Sequence, residues 1–100
     1  MQLSKSQGTD GTKVAIAGEL DSVTAPEVRE TFDSIADSKP RRVVLDLTAL
    51  RLIDSSGVGA IVSLFKRVRA GGGRFEVVGV QGQPRSIFRV LKLDRVFGLQ

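Results

Sequence analysis

The chain has 100 residues, 41% of them hydrophobic and 26% charged, an ordinary globular composition in a length that suits one domain (residues 1–100) with one site at most. Cys and His are both absent, which removes a disulfide framework, a thiol nucleophile, an imidazole base and the common transition-metal ligand sets. The formal charge of +4 is uneven: residues 1–50 carry six Lys and Arg against eight Asp and Glu, and residues 51–100 carry nine against three.

Such a basic half invites a nucleic-acid reading. Trp and Tyr are absent, however, and no dense basic run occurs, so no nucleic-acid partner is expected; a solvated face or a surface meeting an acidic protein fits better. No apolar run reaches the roughly 18 residues of a membrane span, and the polar opening MQLSKSQGTDGTK lacks a signal core. A soluble, cytoplasmic chain with no membrane partner is expected.

In chain order, strands are expected over Gln2 to Ser6 and Lys13 to Ala17, joined by a tight hairpin at Asp10-Gly11. Thr24 and Glu27 have capping-box spacing, Pro26 suits a first turn, and Ala25, Val28, Phe32, Ile35 and Ala36 share a face, which predicts a helix over Ala25 to Asp37. After SKPRR breaks it, Val43 to Leu47 reads as a strand buried on both faces, with Asp46 an end-of-strand or surface-facing acid. A second helix is predicted from Ser56 to the Gly71-Gly72-Gly73 stop, its core face made of Gly57, Ala60, Ile61, Leu64, Phe65 and Val68. RFEVVGV is another strand, Pro84 to Leu91 a helix with Ile87, Phe88 and Leu91 inward, and DRVFGLQ is compatible with a last edge strand. The order ββαβαβα implies an α/β fold, a mixed β-sheet with helices packed against it.

The stretch LIDSSGVGAIVSLF carries what chemistry there is. Asp54, Ser55 and Ser56 stand at the mouth of the second helix, past the carboxyl end of a strand, where α/β folds place function. Capping alone accounts for such residue types, and Ser56 is the better cap if Ser55 points out. Yet two adjacent hydroxyls exceed what one cap requires. Gly57 and Gly59 each cost the helix about 1 kcal/mol relative to Ala, which suggests close backbone approach by another molecule. Serine catalysis lacks a His base and the G-x-S-x-G elbow, and G-V-G-A-I-V supplies only two of the three glycines of a dinucleotide loop, so no enzyme activity and no cofactor are expected. A phosphorylatable serine needs only exposure. Val58 and Val62 are expected to drift off the buried face toward solvent, where they would form a small interface core. Asp21 follows the second strand; with Thr24 as the helix cap, it is either a turn former or part of the site.

Three segments, GELDSVTAPEV, RRVVLDLTALRLIDSSGVGAIVSLFKRVRAGGGRFEVVGV and SIFRVLKLDRVF, resemble a STAS domain of the anti-sigma factor antagonist family over nearly the whole chain. The resemblance implies a STAS-like fold and a bacterial partner-switching regulator. Such a protein binds an anti-sigma factor serine kinase, is phosphorylated by it on the serine after the aspartate, here Ser55, and is restored by a serine phosphatase. Unphosphorylated, it occupies the kinase and frees the kinase's other client, a sigma factor. Asp21 matches the aspartate of G-E-L-D and Asp54 the one before the serine; the partner face would comprise Asp21, Asp54, Ser56, Gly57, Val58 and Val62. Many members continue into a further strand and a terminal helix. A second class of STAS domain serves transporters or lipid-transport complexes as a binding module without a phosphoserine.

Overall fold

The computed structural model describes residues 1–99. β1 (Gln2–Gly8) and β2 (Gly11–Leu20) form the expected antiparallel hairpin, with Thr9 and Asp10, rather than Asp10-Gly11, at its tip. β2 runs past the expected end at Ala17 because it has two successive parallel partners. Thr12 to Ala15 pair with β3 (Arg42–Asp46), and Gly18 to Leu20 pair with β4 (Leu50–Ile53). The register shifts between Gly18 and Glu19, where Gly18 takes φ +93° at no Cβ penalty.

The sequence reading does not anticipate β4. Its burial runs buried, exposed, exposed, buried, so LRLI shows neither alternation nor a continuous apolar run. It forms because the turn after β3 returns the chain to β2: Asp46 Oδ1 accepts from Thr48 N at 2.9 Å and from Thr48 Oγ1 at 2.6 Å, and Gly18 N donates to Ala49 O at 2.9 Å. Asp46 is thus an end-of-strand acid, and the Thr48 hydroxyl and then its N–H hold the carboxyl below the usual range.

β5 (Arg74–Val78) pairs in parallel with β3, giving the order β1-β2-β3-β5 with β4 beside the end of β2. Buried Val14, Ile16, Val43, Leu45, Phe75 and Val77 alternate with Lys13, Arg42, Val44, Asp46, Glu76 and Val78, which are exposed or half-buried. The helices α1 (Ala25–Asp37), α2 (Ser55–Ala70), α3 (Gly82–Val90) and α4 (Leu93–Val96) therefore bury one face of the sheet. This corrects the reading of β3 as buried on both faces: Val44 and Asp46 lie on the open side, crossed by the pairs Lys13–Asp46 and Arg42–Glu76.

The carboxyl end differs from expectation too. DRVFGLQ is no edge strand. Leu93–Val96 wind as α4 and swing Phe97 into an aromatic cluster, its ring centroid 5.4 Å from Phe65, 5.7 Å from Phe75 and 5.6 Å from Phe88; Gln100 of that stretch lies outside the described residues. The pairs with Phe65 and Phe88 are edge-to-face, which at such separations adds attraction beyond area burial that a strand pointing away could not gain. α3 starts two residues earlier than expected, and Leu91, expected inward, is 51% exposed at its end.

Candidate functional site

The mouth of α2 is built from the ends of two parallel strands. Asp54 N donates to Leu20 O at 3.1 Å, extending the β2–β4 pairing to the helix cap. The other edge of β4 would be bare, but the Gln83 side-chain amide takes the place of a strand there: its Nε2 donates to Ile53 O and its Oε1 accepts from Ile53 N, each at 2.9 Å. Gln81 holds the preceding turn in the same way, donating to Thr48 O at 2.9 Å. No periodicity marks either glutamine in the sequence. Their partners are backbone groups some 30 residues away, which only the fold brings near.

Asp54, not Ser56, caps the helix. Its backbone is extended at φ −114°, its Oδ1 accepts from Gly57 N at 3.1 Å, and its carbonyl accepts from Val58 N at 2.9 Å. The helix accordingly starts at Ser55, one residue before the expected start. Ser55 is exposed and Ser56 half-buried; among the described residues neither hydroxyl has a hydrogen-bond partner. A first-turn hydroxyl left free beside a working cap is available to another molecule. The Ser56 carbonyl accepts a long bond, 3.4 Å, from Arg29 Nη2 of α1.

The two glycines part ways. At Gly57 a Cβ would lie 2.7 Å from Ile53 Cγ1, 2.7 Å from Leu20 Cγ and 2.8 Å from Leu20 O, so the close approach belongs to the protein's own strands rather than to a visitor. At exposed Gly59 a Cβ would meet only Arg29 Nη2, at 3.5 Å, an ordinary contact. Val58 likewise reverses expectation: it is 8% exposed and part of the core, on a side of the first turn that helical spacing alone directs at solvent. Val62 is half-buried against the core. Apolar side chains that do stand exposed near the mouth are Leu52, 48% exposed in β4, and Val23, 83% exposed in the turn after β2.

That turn contains Asp21, which is a cap after all. Asp21 Oδ1 accepts from Val23 N at 2.9 Å and Thr24 N at 3.1 Å, while Asp21 N donates to Thr24 Oγ1 at 2.9 Å. This is a reciprocal capping box between Asp21 and Thr24, three residues ahead of the Thr24–Glu27 box the spacing predicts. The N–H groups of Thr24 and then Val23 pull the Asp21 carboxyl below its ordinary value. Thr24, by contrast, makes no side-chain cap to the helix that follows it.

Asp21, Asp54, Ser55 and Ser56 are thus gathered at the ends of the adjacent strands β2 and β4, while Gly57 and Val58 sit beneath the surface they would form. Two grooves of about 390 and 440 Å³ lie on the open sheet face, lined by residues such as Lys13, Arg42 and Val44 or Ala15, Asp46 and Thr48. None of the described grooves includes the mouth. Among the described residues no group of three or more acidic side chains could hold a metal ion. With Asp54 and Ser55 exposed, the mouth presents its polar groups outward to another molecule.

A family model described as the STAS domain matches residues 2–100, and the chain belongs to that family. It is 33% identical over 85 residues to the anti-sigma F factor antagonist of Paenibacillus polymyxa, covering 84% of this chain and 70% of that one. Among solved structures it is similar to an anti-sigma factor antagonist from Mycobacterium paratuberculosis, at 24% identity and a TM-score of 0.88, covering 98% of this chain and 83% of that one. It is also similar to the Bacillus cell fate determinant SpoIIAA in its phosphorylated form, at 20% identity and a TM-score of 0.77, covering 94% and 86% of the two chains.

Proposed function

We propose that this chain is an anti-sigma factor antagonist that works as a phosphorylation switch: unmodified, it binds an anti-sigma factor serine kinase, and phosphorylation of Ser55 by that kinase releases it until a serine phosphatase reverses the change. The carrying observation is that Ser55 is exposed, free of hydrogen bonds among the described residues, and first in a helix that Asp54 already caps. Its hydroxyl is spare. The relatives named anti-sigma factor antagonists and the likeness to phosphorylated SpoIIAA support the role. The protein is the substrate and not the catalyst; ATP and Mg²⁺ belong to the kinase, and the reaction takes place in the cytoplasm.

The electrostatics suit a switch. A phosphoserine adds roughly −1.5 to −2 charges at pH 7. At the first position of α2 that charge meets the positive end of the helix dipole, favourable by about 0.3 to 1 kcal/mol, against which Asp54 and Asp21 repel it through screening solvent. The fold therefore tolerates the phosphate. Enclosed at an interface without a cation, the same charge costs several kcal/mol, so binding responds far more than folding. The test is incubation with an anti-sigma-type kinase and ATP, followed by intact mass. Wild type and Ser56→Ala gain one phosphate and Ser55→Ala gains none; a phosphate on Ser55→Ala refutes the assignment.

A further inference from the structure

We propose that the corner between α3 and α4 is a docking surface for an anionic lipid membrane. Helical spacing assigns Leu91 to the core, but the structure leaves it 51% exposed, with Val90 76% and Val96 49% exposed in the same stretch. Arg85, Arg89, Lys92 and Arg95 surround these three side chains in sequence, against one acid, Asp94. None of the four cations joins an ion pair among the described residues, so their charge is open to an external anion.

The backbone adds a third observation. Lys92 stands between the helices in the left-handed region, φ +60° and ψ 22°, which disfavours any residue with a long side chain. A glycine would turn this corner without strain; a lysine turns it with an ammonium at the apex. Val90 and Leu91 precede that apex directly.

Composition favours a lipid surface: the exposed side chains at the corner are aliphatic, and four cations stand against one acid. Short aliphatic tips ringed by Arg and Lys suit a soft anionic interface, where the tips enter the headgroup boundary and the cations meet phosphates. The sequence reading expects no membrane partner because no run is long enough to span, an argument that does not reach a surface contact. Docking there also leaves Ser55 free. α3 starts with Gln83 bonded to Ile53, two residues from Ser55, and its nine residues at 1.5 Å each carry the corner roughly 13 Å away.

The experiment is co-sedimentation of the full chain with vesicles of phosphatidylcholine mixed with phosphatidylglycerol, against phosphatidylcholine alone, over a range of salt. Binding is expected to the anionic vesicles only and to fall with salt. Arg89→Ala with Arg95→Ala should weaken it about 25-fold, at about fivefold per cation. Lys5→Ala with Arg41→Ala removes the same charge from two exposed positions elsewhere and should cost far less. Leu91→Ser should weaken binding without altering its salt dependence. Equal losses in the two charge pairs would show attraction by net charge alone and overturn the inference. Absence of binding to anionic vesicles overturns it as well. Neither result bears on phosphorylation of Ser55.

Discussion

Two helices of this protein begin behind an aspartate, and they spend their hydroxyls differently. At the entrance to α1, Asp21 and Thr24 satisfy each other: the carboxylate takes two backbone N–H groups, and the threonine hydroxyl accepts from Asp21 N and donates to Glu19 O at 3.1 Å. At the entrance to α2, Asp54 alone caps through Gly57 N, and Ser55 and Ser56 keep their hydroxyls. Both entrances are stable caps by the same physics. Each entrance has a hydroxyl to spare, Ser22 in the turn ahead of α1 and Ser55 with Ser56 at α2, but only the second places it inside the first turn of the helix.

The largest test of that contrast is binding. Phosphoserine at position 55 should lower affinity for the ADP-bound kinase by about a hundredfold or more, at tenfold per 1.4 kcal/mol, while urea melting shifts by less than about 1 kcal/mol. A collapse of stability on phosphorylation, or equal affinity of both forms, breaks the contrast.

Next in size come the side chains below the mouth. Gly57→Ala drives a Cβ into Leu20 and Ile53 and should destabilise the fold by about 1–3 kcal/mol. Gly59→Ala, whose Cβ would meet only Arg29 Nη2 at an ordinary contact distance, should stabilise by up to about 1 kcal/mol through helix propensity. Opposite signs in urea melts from two glycines in one helical turn would confirm that Gly57 serves the strands. A smaller effect is expected at the entrance turn of α1. Val23→Glu should weaken kinase binding several-fold and leave the melt unchanged, whereas Val58→Ala should lower stability by about 2 kcal/mol before it touches binding. Intact affinity in Val23→Glu would remove the α1 entrance from the partner face.

The smallest effect is on the acid limb. Asp21 titrates below its ordinary 3.8 in the folded chain, so its contribution is fully present above the unfolded value and is lost as pH falls through the folded one. Asp46 and Glu76 shift the same way, Glu76 through its hydrogen bond and charge pairing with Arg42. Stability should therefore decline as pH drops below about 4. Asp21→Asn, which keeps an acceptor for the two N–H groups without titrating, should fall less steeply. An identical acid limb would show that the box contributes nothing through its charge. With no His in the chain, little should change between pH 5.5 and 8 in the unmodified protein, whereas the phosphorylated form should titrate near pH 6.

The sequence by itself determined what depends on neighbours within one turn or one hairpin. The extents of α1 and α2, the β1–β2 hairpin and the position of Asp54, Ser55 and Ser56 at a helix start follow from apolar spacing, turn residues and capping preference, all local. Tertiary structure decided everything that depends on which surface arrives opposite. LRLI became a strand because β2 had backbone groups left to pair after Gly18, and Gln83 closed its far edge from another part of the chain. Val58 joined the buried core, and Leu91 was released to solvent when the chain turned at Lys92 to bring Phe97 to the aromatic cluster. A helical period states which side chains share a face. It does not state what packs against that face, because the free energy of burial is collected between segments and not within them.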